Sequence, residues 1–200
     1  MTYFCQSPTV ATMKSATTAS KGDARRETIL AQARALLVEK GYDRFVLRDI
    51  AERVGVTLGN LQYYYPTRDD LLEAVIRSEF EANRREIERL SASRLAARRR
   101  LEQIARHLIS VWAHDGGRIY VVMSLLALHH RRFRKLHQEI YDAFYDGLLP
   151  VLGELRPDRR RAELLAVARL VTTIIDGAVA QTPSRAFVTD AVRLVVALGA

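Results

Sequence analysis

The sequence predicts an all-α protein. Apolar residues recur at intervals of three and four, as in Ile29, Ala33, Leu36 and Leu37, which is the spacing of one face of a helix. Only five prolines and ten glycines occur among 200 residues, which leaves room for long helices. No segment shows the alternation that predicts a strand. With 48% hydrophobic residues the chain can bury a sizeable core.

Composition also limits the classes of partner. The net charge of +8 favours an acidic partner such as nucleic acid, but most of the excess lies beyond Asp70, on what we interpret as solvated helix faces. A single cysteine, Cys5, excludes an intramolecular disulfide framework and indicates a reducing compartment. No apolar run approaches the roughly 20 residues that span a bilayer, and no signal peptide is apparent. We therefore expect a soluble, cytoplasmic protein without a membrane partner.

The sequence of residues 1–64 indicates a tail followed by three helices. Residues 1–20 are rich in Ser and Thr and indicate a flexible tail. A first helix is predicted over 23–40 and ends at Gly41, which suits a left-handed cap. Two short helices follow, over 47–54 and 58–64. The first three helices are thus compressed into about 40 residues.

Longer helices are predicted for the rest of the chain. Pro66 stops the third helix, because proline disfavours a helical residue before it. Thr67 is a good N-cap for a long helix over 68–90. The remaining helices are predicted over 94–114, 117–130, 133–152, 158–181 and 185–198, with breaks at Gly116–Gly117, Arg131–Arg132, Gly153–Pro157 and Pro183.

The two short helices have the spacing of a helix-turn-helix. Two helices that cross steeply need a small residue where they touch, and Ala51 provides it. Four residues later the turn needs a residue that tolerates a positive φ, which is Gly55. Six residues further on, Leu61 can face the first helix. This spacing alone is moderately specific.

The surrounding sequence strengthens this interpretation. Residues Arg25 to Leu72, which include KGYDRF and LRDIAERVGVTLGNLQYYYPTRDDLL, resemble the N-terminal domain of the TetR family of transcriptional regulators. The resemblance implies a DNA-binding domain over 21–67 and a ligand-binding and dimerisation domain over 68–200. It further implies a ligand-responsive regulator, most simply a repressor, that binds a palindromic operator as a homodimer, with double-stranded DNA and a small-molecule inducer as partners and no cofactor.

The resemblance also assigns DNA-binding residues. They are Arg48, Thr57, Leu58, Gly59, Asn60, Gln62, Tyr63, Tyr64 and Arg68. Asn60 and Gln62 carry amides that can bond base edges, adenine in particular. Arg68 and the hydroxyl of Tyr64 would contact phosphates, whereas Tyr65 would pack inward. Val46 stands where the family often has Thr, so one phosphate contact is absent.

A ligand site is predicted from aromatic and polar residues within otherwise apolar helices. They are Trp112, Tyr120, Met123, Tyr141, Phe144, Tyr145 and Asp176. Ordinary core packing is the alternative interpretation of each of them. The set favours a hydrophobic or aromatic inducer, and a cationic inducer could be held by a ring face or by Asp176.

Enzymatic and metal-binding functions lack a supporting motif. His129, His130 and His137 are close in sequence, but no HExxH pair or Cys/His set accompanies them, so we predict no metal site. No nucleophile motif is present either, and we expect no enzyme. Two alternatives remain: a helical enzyme or carrier that uses a C-terminal cavity, and an architectural DNA-binding protein without a ligand.

The last two helices predict a homodimer, because they are apolar on more than one side. Their apolar residues are Leu164, Leu165, Val167, Ala168, Val171, Ile174, Ile175, Ala178, Val188, Val192, Val195, Val196 and Leu198. As the family does, two such pairs of helices would form a four-helix interface. We expect a charge at Ile174 or Val195 to give monomers.

Overall fold

The computed structural model describes residues 21–180 and 185–199, and it confirms the all-α prediction. Nine α-helices and no strand occur in that part of the chain. No helix within it is long and apolar enough to cross a membrane. The predicted tail over 1–20, with Cys5, and the break at Pro183 lie outside the described residues.

The helices follow one another with short connections. They are α1 Lys21–Lys40, a 3-10 turn Tyr42–Arg44, α2 Leu47–Val54, α3 Leu58–Tyr64, α4 Arg68–Ser91, α5 Ala97–Trp112, α6 Asp115–His129, α7 Arg131–Leu155, α8 Arg161–Ala180 and α9 Arg185–Gly199.

The N-terminal helices pack around a small apolar centre. Helix α1 contributes the stripe that the sequence predicts, and Ile29 and Ala33 are fully buried in it. Phe45 and Ile50 are also fully buried and close this centre from the side of α2. Helix α1 packs on both α2 and α4, so the short helices are held on a longer support.

Helix α7 lies at the middle of the larger part of the structure. It packs against α4, α5, α6 and α8, while α9 packs on α5 and α8. A single cluster of buried apolar residues runs from Ile29 in α1 to Val196 in α9. The core is therefore continuous across residue 68, and the division of the chain at that point stays a prediction.

One predicted break is wrong, and another begins later than predicted. Gly116 and Gly117 lie in the first turn of α6 and are buried, instead of forming the turn before it. A Cβ added at Gly116 would lie 2.9 Å from Cγ1 of Val111, so the glycine permits a close approach of the α5–α6 connection. Helix α7 contains Pro150, as predicted, but it ends at Leu155, so the break that was predicted from Gly153 begins at Arg156.

The two C-terminal helices divide their apolar residues between two surfaces. Ala168, Val171 and Ile175 of α8 and Val192 and Val195 of α9 face the protein's own core. Val195 is fully buried there, so a charge at this position would disrupt the monomer's core and is a wrong test of dimerisation. The outward surface instead carries two leucines, one on each helix, which the sequence analysis did not single out: Leu170, 53% exposed, and Leu194, 51% exposed.

Candidate functional site

The turn between α2 and α3 has the geometry that the sequence predicts. Gly55 adopts the left-handed conformation, with φ 71° and ψ 39°, and its N–H bonds back to the carbonyls of Ala51 and Glu52. Thr57 then caps α3, because its hydroxyl accepts a hydrogen bond from the N–H of Asn60 at 3.2 Å. Leu61 is fully buried against Ala51 and Ile50, the small and apolar residues of α2. The local sequence thus sets the crossing of the two helices.

Helix α3 presents a polar outer face to solvent. Asn60, Gln62 and Tyr63 are all exposed, and Tyr63 keeps 80% of its surface accessible. Gly59 is exposed and has no atom within 4 Å of an added Cβ, so this face is open above it. Leu58 is half-buried. An exposed amide-bearing face on a rigidly backed helix can enter a DNA major groove and bond base edges.

The three tyrosines after Gln62 point in different directions. The Tyr63 and Tyr64 rings meet edge-on, with centroids 5.2 Å apart, and the guanidinium of Arg26 lies 5.4 Å from the centre of the Tyr64 ring. Tyr65 is buried, and burial raises the pKa of its hydroxyl. Tyr65 therefore packs inward as predicted, whereas Tyr63 is free to face DNA.

Arg68 has an internal role that its sequence position did not reveal. At the start of α4, its Nε donates to the carbonyl of Phe45 at 2.8 Å, and Nη2 donates to the carbonyl of Tyr42. Its guanidinium also lies 4.1 Å from the centre of the Tyr42 ring. A phosphate contact stays a prediction for Arg68, and it would have to compete with these bonds. Arg48, in contrast, is exposed in the first turn of α2.

The start of α4 is held from a second side by α7. Thr67 and Asp70 form a reciprocal capping box at the first turn of α4. Arg132, in the first turn of α7, donates to Asp70 and to Glu73, each at 2.7 Å. Hydrogen bonds from Thr67 and then from Arg132 lower the pKa of Asp70. The helix that follows the helix-turn-helix is therefore clamped to the larger part of the structure.

The predicted ligand-site residues come together as an aromatic cluster. We define this cluster by five residues: Phe80, Trp112, Tyr120, Tyr141 and Phe144. The Trp112 and Tyr120 rings are stacked, with centroids 4.9 Å apart, and Phe144 lies 6.1 Å from Trp112. Phe80 was not predicted, although it belongs to the apolar stripe of α4, and it packs on Trp112 at 5.9 Å.

Of the three other predicted residues, Tyr145 and Asp176 adjoin the cluster. Met123 of α6 is fully buried. The Tyr145 ring lies 5.9 Å from that of Tyr141 and beneath the guanidinium of Arg169. Asp176 of α8 accepts a hydrogen bond from the Tyr141 hydroxyl at 2.5 Å. Apart from Met123, for which only burial is shown, the sequence set is assembled in one place, although four of its seven members are buried core residues.

A cleft opens beside the cluster, between α4 and α7. It has a volume of about 430 Å³. Its apolar lining includes Phe80 and Phe144, which both also pack on Trp112. Its charged rim includes Arg77 and Glu139, which form an ion pair at 2.9 Å. A small molecule in this cleft would contact α4, the helix that joins both parts of the chain.

The histidines do not assemble a metal site in the described part of the chain. No group of three or more His, Cys, Asp or Glu side chains that could hold an ion is found there. His137 instead stacks on the Tyr141 ring, with centroids 4.4 Å apart, and burial lowers the pKa of its imidazole.

The structure thus combines a capped helix-turn-helix, which has an exposed amide face, with a larger helical part that contains an aromatic cluster. Comparison with known families finds a match for the part that contains the helix-turn-helix. Residues 29–75 match the family model described as bacterial regulatory proteins, tetR family. This N-terminal part of the chain therefore resembles the TetR family of transcriptional regulators.

Individual relatives are similar in different parts of the chain. The HTH-type transcriptional repressor KstR of Rhodococcus jostii is 39% identical over 57 residues, which is 28% of this chain and 27% of that repressor. A TetR transcription regulator from Haloarcula marismortui superposes with a TM-score of 0.76 at 21% identity, over 88% of this chain and 96% of the other. GusR of Salmonella enterica superposes with a TM-score of 0.74 at 15% identity, over 90% and 97%. These structures support the fold over nearly the whole chain.

The two interpretations of Arg68 predict different behaviour of Arg68→Ala. If the internal bonds dominate, the variant loses two charge-assisted hydrogen bonds, and the free energy of unfolding falls by about 1.5–3 kcal/mol. Arg48→Ala removes an exposed guanidinium from the same surface and serves as the control, with stability unchanged. Urea denaturation monitored by circular dichroism measures both. Wild-type stability of Arg68→Ala would contradict the internal role and favour the phosphate contact.

Proposed function

We propose that the protein is a ligand-responsive transcriptional repressor that binds a palindromic operator as a homodimer and is released by a small hydrophobic or aromatic inducer. The observation that carries this proposal is the exposed face of α3, with Asn60, Gln62 and Tyr63 accessible on a helix that Leu61 anchors from behind. The similarity of its N-terminal part to a transcriptional repressor supports the direction of regulation.

On this proposal, α3 enters the major groove and reads bases through its amides. Asn60 and Gln62 are both exposed and flank the buried Leu61, so their amides lie on opposite sides of the exposed surface and would contact different base pairs. Tyr63 adds a ring that can pack on a thymine methyl group or a sugar. Arg48 lies exposed in the first turn of α2 and would contact the backbone, which adds affinity without sequence preference.

The outward surface of α8 and α9 is the proposed dimer interface. Leu170 and Leu194 expose about half of their side chains on it, and Ile174 is half-buried. Gly177 has no atom within 4 Å of an added Cβ, so a partner helix can approach closely there. Burial of these apolar side chains against a second copy would be favourable at about 25 cal/mol per Å².

The proposed inducer site comprises the aromatic cluster and the cleft between α4 and α7. A ligand that separates Phe80 from Phe144 would push α4 away from α7, because these two rings belong to different helices and lie 5.8 Å apart. Helix α4 carries the helix-turn-helix at its first turn, so its tilt changes the spacing of the two α3 helices in the dimer. A ligand weakens DNA binding only if it binds the displaced state better.

Selection from a random double-stranded DNA library tests the reading of sequence. We expect an inverted repeat whose half-site centres lie about one turn apart, roughly 34–36 Å, or a multiple of that. Gln62→Ala should lose about 1–3 kcal/mol of discrimination at one base pair of each half-site. Gln138→Ala removes an exposed amide from α7 and should select the wild-type sequence. Enrichment of no sequence by the wild-type protein would contradict sequence-specific binding.

Sedimentation velocity tests the dimer. Leu194→Glu places a charge on the outward surface of α9 and should convert a dimer into a folded monomer, since burial of an unpaired charge is unfavourable. Leu95→Glu changes an exposed leucine between α4 and α5 and should leave the dimer intact. A wild-type protein that stays monomeric at micromolar concentration rules out both the dimer and the palindromic operator.

A further inference from the structure

Asp176, a half-buried residue, has no charge partner for its carboxylate in the described part of the chain. Its Oδ2 accepts the Tyr141 hydroxyl at 2.5 Å, while Oδ1 is buried and has no hydrogen-bond partner there. The described ion pairs do not include Asp176. An unpaired buried charge is costly, and such groups are retained at binding sites more readily than in ordinary cores.

Aromatic side chains from two helices lie near Asp176. Tyr120 approaches from α6, with its hydroxyl 3.5 Å from that of Tyr141, and Tyr120 itself stacks on Trp112. Tyr141 and Tyr145 approach from α7. Ring faces attract cations through their quadrupoles, and the attraction adds to that of a carboxylate. The combination is the chemistry that recognises an organic cation.

We propose that the inducer site of this protein takes a hydrophobic organic monocation, with Asp176 as its counter-ion and the rings of Trp112, Tyr120 and Tyr141 around its charged group. This inference rests on the proposed function, because it specifies the ligand of the same site. The cation would lie beside Oδ1 of Asp176, and its apolar body would lie toward Phe144 and the cleft between α4 and α7.

The titration of Asp176 gives the proposal a second signature. Burial raises the pKa of this carboxyl to about 6, against the hydrogen bonds from Tyr141 and Tyr120, which lower it. A cation binds the ionised carboxylate, so its affinity should be full above pH 7 and fall as the pH drops through about 6. The other titratable groups nearby are the three tyrosines, His137, which stacks on Tyr141, and Arg169 on the same helix, which lies over Tyr145.

A matched pair of probes tests the charge preference. Phenyltrimethylammonium and tert-butylbenzene have nearly the same shape and differ in charge, and calorimetry or protein fluorescence measures their binding to the full chain. We expect wild-type protein to bind the cation about tenfold more tightly, which corresponds to about 1.4 kcal/mol. Asp176→Asn keeps an acceptor for Tyr141 and should remove the preference. Asp142→Asn removes an exposed carboxylate one residue from Tyr141 and should keep it.

The pH dependence of the wild-type protein provides a test that needs no folded Asp176 variant. The preference for the cation should disappear between pH 7.5 and pH 5, and it should do so in His137→Gln as well. Three results would overturn the proposal. They are equal affinity of the wild-type protein for the two probes, no binding of the cation, and a preference for the cation that persists in Asp176→Asn or at pH 5. Operator selection is measured without either probe. A negative result for the cation site therefore leaves the proposed DNA-binding function untouched, and the two failures can be distinguished.

Discussion

The position of the helix-turn-helix depends on how the first two turns of α4 are held. Arg68 bonds these turns to the carbonyls of Tyr42 and Phe45, in the connection that precedes α2. Arg132 bonds them to the beginning of α7 through Asp70 and Glu73. The same short stretch of helix is thus fastened to the predicted DNA-binding part on one side and to the helix at the centre of the larger part on the other. No loop in the described structure separates the two attachments, so a movement of α7 relative to α4 acts on α3 through rigid elements.

The ion pairs between Arg132 and α4 are weak enough to be broken without loss of the fold. The side chains of Arg132, Asp70 and Glu73 are 43%, 31% and 20% exposed, and ion pairs of this kind contribute about 0.2–1 kcal/mol each. The fold itself rests on the continuous apolar core, to which each fully buried large side chain contributes about 1.5–3 kcal/mol. On the proposed function, the inducer alters the angle between α4 and α7 without unfolding either helix, and allosteric coupling of about 1–3 kcal/mol is typical.

The sequence predicted those parts of the structure that depend on contacts within a few residues along the chain. Gly55 and Thr57 act through their own backbone and the next few residues, and both adopt the predicted geometry. The internal bonds of Arg68 were missed, because its carbonyl partners lie 23 and 26 residues away and have no sequence signature. Gly116 was assigned to a turn from its residue type, whereas its close contact with Val111 depends on how the α5–α6 connection packs. The aromatic set was predicted from residue type, whereas its pairing with Asp176 through Tyr141 required the three-dimensional structure.

The spacing preference of the protein on DNA tests the central claim most directly. Once an inverted repeat has been selected, binding is measured to operators whose half-sites differ in separation by single base pairs, for wild type, Arg132→Gln and Arg131→Gln. Arg131 is the exposed neighbour of Arg132 and forms no ion pair in the described structure, so its loss controls for charge. The measured quantity is the ratio of the affinity for the best half-site spacing to the affinity for the other spacings. We predict that this ratio falls about two- to fivefold in Arg132→Gln, because the variant loses weak ion pairs, and that it keeps the wild-type value in Arg131→Gln. Identical spacing profiles for wild type and Arg132→Gln would contradict the account.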